Sequence, residues 1–281
     1  MTVHHPRRDG IRTHEGENNV PTLVTEQGIV HYETYGRGRP VLLLHGWLGS
    51  WALWRNTIEI LGKEFRTYAL DFFGFGESVD HQANFSVDNY VNSVQQFMDR
   101  LGIPKAPLIG HSMGGTVSLA ASVRFPEKIV KTTVIGSPIV GSSLNLLLKL
   151  SGYRGIARII WTTPALLKLF MRGYAHFIAH DGHLVGKMIV EDMSKISTES
   201  FFQSIGTLRQ TDLRDQIGNL PMPVLGIYGK YDRIVKPSQS QVLKESAPSS
   251  KIAWFERSGH FPMMDEPDRF HDAIRDFLLN G

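Results

Sequence analysis

A serine between two glycines gives the strongest chemical signal in this sequence of 281 residues. Gly110, Ser112 and Gly114 form a G-x-S-x-G pattern, which is typical of a nucleophilic serine on a sharp turn between a strand and a helix. The flanking segments fit such a turn, because residues 107–109 have the pattern of a strand and residues 116–125 that of a helix. The sequence therefore predicts that Ser112 is a nucleophile.

A serine hydroxyl needs a base to activate it, and His260 is the candidate, with Asp232 as the group that orients it. His260 follows the predicted strand 251–255, and Asp232 follows the predicted strand 223–228. Because the carboxyl ends of parallel strands meet at one edge of a sheet, we expect both side chains to lie near Ser112. The chain order serine, aspartate, histidine is the one that this arrangement uses.

Asp71 is a competing carboxylate, since it also follows a predicted strand, residues 65–70. It precedes Ser112 in the chain, however, and this breaks the expected order. We therefore expect Asp71 to hold the glycine-rich loop 74–78 through hydrogen bonds, and Asp232 to orient the histidine.

Acyl transfer also needs two backbone N–H groups to stabilise the oxyanion of the intermediate. The residue after the nucleophile, Met113, is expected to supply one of them. Trp47, in the loop after the short apolar strand 41–44, is expected to supply the other, and His45 is expected to order that loop.

Strands alternate with helices along most of the chain, and this predicts an α/β fold with a mostly parallel central sheet covered by helices on both faces. The alternation stops after Pro138 and resumes before residue 223. We expect a disordered polar tail at residues 1–19, a core domain formed by residues 20–138 and 213–281, and a helical lid insertion at residues 139–212.

The first part of the predicted insertion is apolar and basic, because the span from Lys128 to His180 contains lysine and arginine but no acidic residue. The favoured interpretation is a lid whose apolar face covers the pocket and whose basic face is solvated. The alternative is a weak contact of the basic face with an anionic membrane surface or an amphiphilic substrate. Candidate pocket-lining residues are Trp161, Phe170, Met171, Phe177 and, next to the histidine, Phe261.

Composition limits the remaining possibilities. The formal charge of +3 is too small to indicate nucleic-acid binding, and the absence of cysteine excludes disulfides and thiolate chemistry. No metal-ligand spacing or dinucleotide-binding motif occurs, so no cofactor and no metal are expected. The polar N-terminus has no signal-peptide pattern and no segment is apolar enough to span a membrane, so a cytoplasmic location is expected. Composition leaves the oligomeric state open.

From about Val20 to Leu279 the chain resembles the α/β-hydrolase superfamily, in its lid-bearing serine esterase, lipase and haloperoxidase-like branch. The resemblance implies the α/β-hydrolase fold with a helical lid insertion, and a catalytic triad of Ser112, Asp232 and His260. Haloalkane dehalogenases and epoxide hydrolases carry aspartate at the position of Ser112, so the resemblance excludes them. The matching motifs are His45-Gly46-Trp47, Asp71 with Gly74-x-Gly76-x-Ser78, Gly110-His111-Ser112-Met113-Gly114-Gly115, Tyr231-Asp232 and Gly259-His260.

These residues predict a serine hydrolase that cleaves small-molecule carboxylic esters with an apolar acyl or alcohol part through an acyl-enzyme. Other reactions with the same triad remain alternatives, namely those of a cofactor-free perhydrolase, a lactonase, a thioesterase or a carbon–carbon bond hydrolase. An alternative of another class is a ligand sensor that keeps the triad and turns over slowly.

Overall fold

The computed structural model describes residues 21–81, 84–144, 164–179, 182–193 and 195–280. Nine strands in these ranges form one sheet in the order β1-β2-β4-β3-β6-β7-β8-β9, with β5 paired to β2. Strands β4, β3, β6, β7, β8 and β9 are parallel, whereas β1, β4 and β5 run antiparallel to β2. The strands are β1 (Thr22–Val24), β2 (Gly28–Gly36), β3 (Pro40–Leu44), β4 (Arg66–Leu70), β5 (Val79–Asp80), β6 (Ala106–His111), β7 (Ile129–Ile135), β8 (Val224–Gly229) and β9 (Lys251–Phe255).

Helices connect the parallel strands, as the right-handed crossovers of such a sheet require. Helix α1 packs against the C-terminal helix α9, and α2 packs against α3, so these helices form separate groups on the sheet. The helices are α1 (Arg55–Leu61), α2 (Val87–Arg100), α3 (Met113–Arg124), α4 (Pro164–Ile178), α5 (Gly182–Met193), α6 (Thr198–Gln210), α7 (Gln239–Ser246), α8 (Pro262–Asp265) and α9 (Pro267–Asn280), and short 3₁₀ turns lie at Trp51–Trp54, Pro126–Lys128 and Gly141–Ser143.

The central strands are buried on both faces, which explains their continuous apolar sequences. Val41, Leu42, Leu43 and Leu44 of β3 have no exposed surface, and the neighbouring β6 is nearly as buried. The α/β architecture with a mostly parallel sheet is therefore confirmed. This core fixes the carboxyl ends of β3, β6, β8 and β9, which carry the predicted site residues.

Element boundaries differ from the sequence expectation in a few places. Strand β1 is short and ends at Val24, because the backbone N–H and the hydroxyl of Thr25 donate to the carbonyl of Gly28 and close a turn. Helix α3 begins at Met113, three residues earlier than its small-residue pattern indicated. Neither β5 nor α8 was predicted, since both are too short to give a periodic pattern.

Helices α4, α5 and α6 lie between β7 and β8 in the chain, and together they are called the helical segment below. The two ends of the stretch that contains them lie side by side, because Val140 and Asp212 form an antiparallel bridge. The backbone N–H of Gly141 donates to the carbonyl of Thr211 at 2.8 Å. None of the helices in the described ranges is long and apolar enough to cross a membrane.

Candidate active site

Ser112 occupies the turn between β6 and α3. Its φ of +52° lies in the left-handed region, which a non-glycine residue adopts only when its surroundings enforce it. The backbone N–H of Ser112 donates to the carbonyl of Ile135 at 2.8 Å, and this bond ties the turn to β7. Close packing explains the glycine at position 114, because a Cβ there would lie 2.3 Å from the carbonyl oxygen of Leu44.

His260 and Asp232 form a buried pair. The Nδ1 atom of His260 lies 2.8 Å from Oδ2 of Asp232, and both side chains are almost completely buried. The other carboxylate oxygen of Asp232 accepts from the backbone N–H groups of Ile234 and Val235 at 2.8 and 2.9 Å. Because the carboxylate is held on both oxygens, it assigns the proton of a neutral imidazole to Nδ1 and leaves Nε2 as an acceptor.

Ser112 and His260 line the same cavity, together with Gly46 and Trp47. The three predicted side chains at positions 112, 232 and 260 therefore converge at the carboxyl edge of the sheet. Within the described ranges, no hydrogen bond joins the Ser112 hydroxyl to the imidazole. Such bonds are often long in ligand-free enzymes and shorten when substrate binds.

The predicted oxyanion donors are the backbone N–H groups of Trp47, which lines the cavity with Ser112, and of Met113, which follows Ser112 in the chain. Neither donates a hydrogen bond to another group in the described ranges. A Cβ on Gly46 would lie 3.1 Å from Cβ of Ser112, so the loop that carries Trp47 lies against the nucleophile turn. Both donors are therefore available to an oxygen atom bound in front of Ser112.

His45 orders this loop, as the sequence predicted. One ring nitrogen of His45, Nδ1, lies 2.7 Å from the carbonyl oxygen of Gly46, and Nε2 accepts from the backbone N–H of Phe72 at 2.9 Å. Burial lowers the pKa of His45, so the neutral ring that these two contacts require is the stable form.

Sequence reasoning gave no role to His111, which precedes the serine. Its Nε2 atom lies 2.8 Å from the backbone carbonyl of His260, and the two rings are 4.6 Å apart. Burial, and then the nearby His260, lower the pKa of His111 well below its usual value, so the ring stays neutral and donates to that carbonyl. The ring joins the turn that carries Ser112 to the loop that carries His260. Its position next to Ser112 in the sequence is the signal that could have suggested a role.

The cavity has mostly apolar walls. The core contributes Phe261, as expected, and also Leu53 and Ile234. The helical segment contributes residues that the sequence analysis did not single out. These residues are Tyr174, Ile178, Met188, Ile189, Ile205 and Leu208. Tyr174 and Ile178 are four residues apart on α4, so helical periodicity was the available signal.

The structure does not place the other predicted pocket residues in the wall of this cavity. Trp161 lies outside the described residues, and Phe170 and Met171 are on α4, where their side chains are not described. Phe177 does not line this cavity, because it is exposed on the other side of α4 and the guanidinium of Arg233 lies 4.7 Å from its ring centre. A neighbour on the same helix, Ile178, takes the position at the pocket wall.

Asp71 holds the glycine-rich loop, as the sequence predicted. Its carboxylate accepts from the backbone N–H groups of Trp51 at 2.7 Å and Glu77 at 3.0 Å, and it pairs with Nδ1 of His31 at 2.6 Å. In the described part of the chain, no group of three or more histidine and acidic side chains is arranged to hold a metal ion.

Comparisons with known proteins agree with this architecture. A family model described as alpha/beta hydrolase fold matches residues 39–155. The pimeloyl-[acyl-carrier protein] methyl ester esterase of Vibrio campbellii is 28% identical over 260 residues, which cover 88% of this chain and 98% of that protein. The structure of a mutant of CumD, a meta-cleavage product hydrolase from Pseudomonas fluorescens IP01, matches with a TM-score of 0.78 and 28% identity over 93% of this chain and 98% of that one.

A third similar structure is the enol-lactonase of Burkholderia xenovorans LB400, with a TM-score of 0.78 over 92% of this chain and 99% of that chain. Its sequence identity is 18%, so it shares the fold alone. The chain has the α/β-hydrolase fold. Those similar proteins that carry a functional name are hydrolases, mainly esterases.

Proposed function

We propose that this chain is a serine hydrolase that cleaves carboxylic esters with an apolar acyl or alcohol part. The observation that carries the proposal is the buried His260–Asp232 pair, 2.8 Å apart, beside the cavity that also contains Ser112 on its strained turn. A histidine fixed in this way can accept the proton of a serine hydroxyl, and this makes the oxygen nucleophilic.

The reaction takes place in two stages. His260 accepts the proton of Ser112 as its oxygen attacks the ester carbonyl, and the tetrahedral oxyanion accepts hydrogen bonds from the N–H groups of Trp47 and Met113. The protonated His260, stabilised by Asp232, then donates the proton to the leaving alcohol. A water molecule activated by the same histidine attacks the acyl-enzyme and releases the acid.

The walls of the cavity support the choice of an apolar substrate. Leucine, isoleucine and methionine side chains from the core and the helical segment surround the space in front of Ser112. Burying an apolar chain there contributes roughly 25 cal/mol for each Å² removed from water. The similarity to proteins named methyl ester esterase supports ester hydrolysis as the reaction.

A second candidate is the hydrolysis of a meta-cleavage product at the same site. The similarity to CumD, which is 28% identical over 93% of this chain, supports it. A lactonase, thioesterase or perhydrolase would use the same Ser112, His260 and Asp232, and no feature of the pocket favours one of them.

The test is hydrolysis of a series of p-nitrophenyl esters from acetate to palmitate, by the parent protein and by Ser112→Ala. We expect steady turnover with a preference for a chain that fits the apolar cavity. Removing the nucleophile of a serine hydrolase lowers kcat by about 10⁶-fold, and we expect a loss of this order. Ser112→Ala activity within tenfold of the parent contradicts the proposal. A single-turnover burst without steady turnover favours the sensor. Turnover of a meta-cleavage product without ester hydrolysis favours the second candidate.

A further inference from the structure

The helical segment makes two side-chain hydrogen bonds to the loop that carries the Trp47 N–H. This loop, called the 46–50 loop below, runs from Gly46 to Ser50 between β3 and the 3₁₀ turn that precedes α1. One bond begins at Trp47 and the other at Ser50, so they hold both ends of the loop. Each bond reaches a different helix of the segment.

The first bond connects the loop to α6. The indole Nε1–H of Trp47 donates to the hydroxyl of Ser204 at 3.1 Å, and the carbonyl of Phe201 lies 3.4 Å away. The indole also packs on the ring of Phe201, with 4.6 Å between the ring centres. Ser204 is completely buried, so no water competes for this bond. Phe201 and Ser204 are three residues apart, so one turn of α6 holds the side chain of Trp47.

The second bond connects the loop to α5. The hydroxyl of Ser50 donates to Oδ1 of Asp192 at 2.8 Å, and it accepts from the backbone N–H of Ala52. Both Ser50 and Asp192 are buried between the segment and the core. The same helix places Met188 and Ile189 in the wall of the cavity.

The 46–50 loop needs such support because its backbone is strained. Leu48 has a φ of +63°, a conformation that a leucine adopts only when neighbouring contacts determine it. The N–H of Gly49 closes a tight turn on the carbonyl of Gly46 at 3.1 Å. A small rotation of this turn would change the direction of the Trp47 N–H, which follows Gly46 directly.

We propose that the helical segment positions the oxyanion donor, and that Ser204 and Asp192 are positioning residues for catalysis through Trp47 and Ser50. This inference rests on the proposed function, since it assigns the Trp47 N–H to the oxyanion. It extends that function, because the segment then contributes to the rate of the chemical step as well as to the walls of the pocket. A shift of about 1 Å in a catalytic group can lower a rate by about 10²-fold.

Burial makes Asp192 the sensitive member of the second bond. Burial is the main cause that raises the pKa of Asp192 to about 7, and the negative charges of Asp71 and Glu191 act in the same direction. The hydrogen bond from Ser50 and the positive charge of Lys195 oppose this rise. The unfolded chain loses this proton near the ordinary carboxyl pKa, whereas the folded chain keeps it until about pH 7. The contribution of Asp192 to the free energy of unfolding therefore falls as the pH rises from the ordinary carboxyl pKa to about 7.

Asp192→Asn is the conservative variant that tests this pH dependence of stability. The amide keeps an oxygen to accept the Ser50 hydroxyl and cannot ionise. We therefore expect a higher melting temperature than the parent at about pH 8, a similar one at about pH 4, and kcat within about threefold of the parent.

The experiment compares Ser204→Ala, Asp192→Ala and the double variant with the parent on the best p-nitrophenyl ester. We expect kcat to fall by about 10-fold in each single variant and about 100-fold in the double variant, with KM changed less than about threefold, because the loss falls on the transition state. We also expect faster hydrogen–deuterium exchange in a peptide covering residues 45–50. In Asp192→Asn, unlike Asp192→Ala, kcat and the exchange of this peptide should be close to those of the parent.

Matched controls lie on the same helices but away from the loop. Lys187→Ala changes an exposed residue of α5, and Gly206→Ala adds a methyl group to α6 where no atom lies within 4 Å. Both controls should keep the parent values. Unchanged kcat and unchanged exchange in the double variant overturn the inference, as does an equal loss in Lys187→Ala or Gly206→Ala.

If the proposed function itself is wrong, the kinetic result is different. In that case the parent and Ser112→Ala hydrolyse the esters equally or not at all. The exchange measurement still decides whether Ser204 and Asp192 hold the loop, because it does not depend on turnover.

Discussion

Among the residues that the structure describes, two buried histidine–aspartate pairs have almost the same local geometry. His260 lies 2.8 Å from Asp232, and His31 lies 2.6 Å from Asp71, each through Nδ1 and Oδ2. Both aspartates follow parallel strands of the central sheet. Neither the distance nor the burial of the pair tells which of them belongs to an active site.

The surroundings of the two pairs separate them. His260 lines the cavity that contains Ser112, whereas Nε2 of His31 lies 3.8 Å from the carboxylate of Glu33. The carboxylate of Asp71 also accepts two backbone N–H groups from separate loops, so it joins parts of the fold. The comparison therefore favours His260–Asp232 as the proposed catalytic pair, because a serine and a cavity lie beside it.

Exchanging each aspartate for asparagine gives the largest expected difference between the pairs. In Asp232→Asn, the N–H groups of Ile234 and Val235 hold the amide oxygen, so the NH₂ group faces Nδ1 of His260. The imidazole then carries its proton on Nε2 and cannot accept one from Ser112. We expect kcat/KM for the preferred ester to fall by about 10⁴-fold, with little change in melting temperature.

Asp71→Asn is the matched control for this prediction. It leaves one of the three groups that donate to this carboxylate without an acceptor, which costs about 1–3 kcal/mol of unfolding free energy, while kcat/KM stays within about tenfold of the parent. Chemical denaturation and ester kinetics measure the two effects. If both variants lose activity equally while folded, the distinction between the pairs is wrong.

A glycine packs against each pair, and the next prediction concerns Gly76. A Cβ on Gly76 would lie 2.0 Å from Oδ2 of Asp71, and the residue has a φ of +53°. We expect Gly76→Ala to lower the unfolding free energy by about 2–4 kcal/mol, because both strain and a clash oppose the side chain. Denaturant unfolding is the measurement.

Gly102→Ala separates these two causes. Gly102 has a φ of +64°, and no atom lies within 4 Å of an added Cβ. This variant should therefore cost only the backbone strain, about 1–2 kcal/mol. Equal losses at positions 76 and 102 would show that contact with Asp71 contributes nothing.

Gly136→Ala, at the other pair, also places an alanine at a positive φ, here +52°, so we expect a stability loss like that of Gly102→Ala together with a modest effect on activity. A Cβ there would lie 3.1 Å from Oδ2 of Asp232 and 3.2 Å from Nδ1 of His260. These contacts are tight but short of a severe clash, so we expect the imidazole to shift slightly and kcat/KM to fall by about tenfold. A stability loss like that of Gly102→Ala with full activity would contradict this prediction.

Local patterns were sufficient for the fold and for the positions of the three candidate catalytic residues. Buried strands such as β3 have continuous apolar sequences, and the chain order separated Asp232 from Asp71 before any distance was known. The partner of Asp71 could not be predicted, because His31 lies 40 residues earlier in a strand that looks like any other.

The contacts of the helical segment were also beyond prediction from the sequence. Trp47 and Ser204 are 157 residues apart, and no periodic pattern relates them. Phe177 was expected in the pocket because it is aromatic, yet the rotation of α4 puts Ile178 at the wall. Helix rotation depends on packing against other elements, which a hydrophobic residue alone does not specify.

The bridge between Val140 and Asp212 has a consequence for how such enzymes diversify. Since the entry and exit of the intervening stretch meet at one point, a change in the length of that stretch leaves the ends of β7 and β8 close enough to pair. Recombination at this point could graft a foreign module with a different substrate range. A graft lacking counterparts of Ser204 and Asp192 would gain the new pocket but lose rate, so active chimeras should retain acceptors at those two positions.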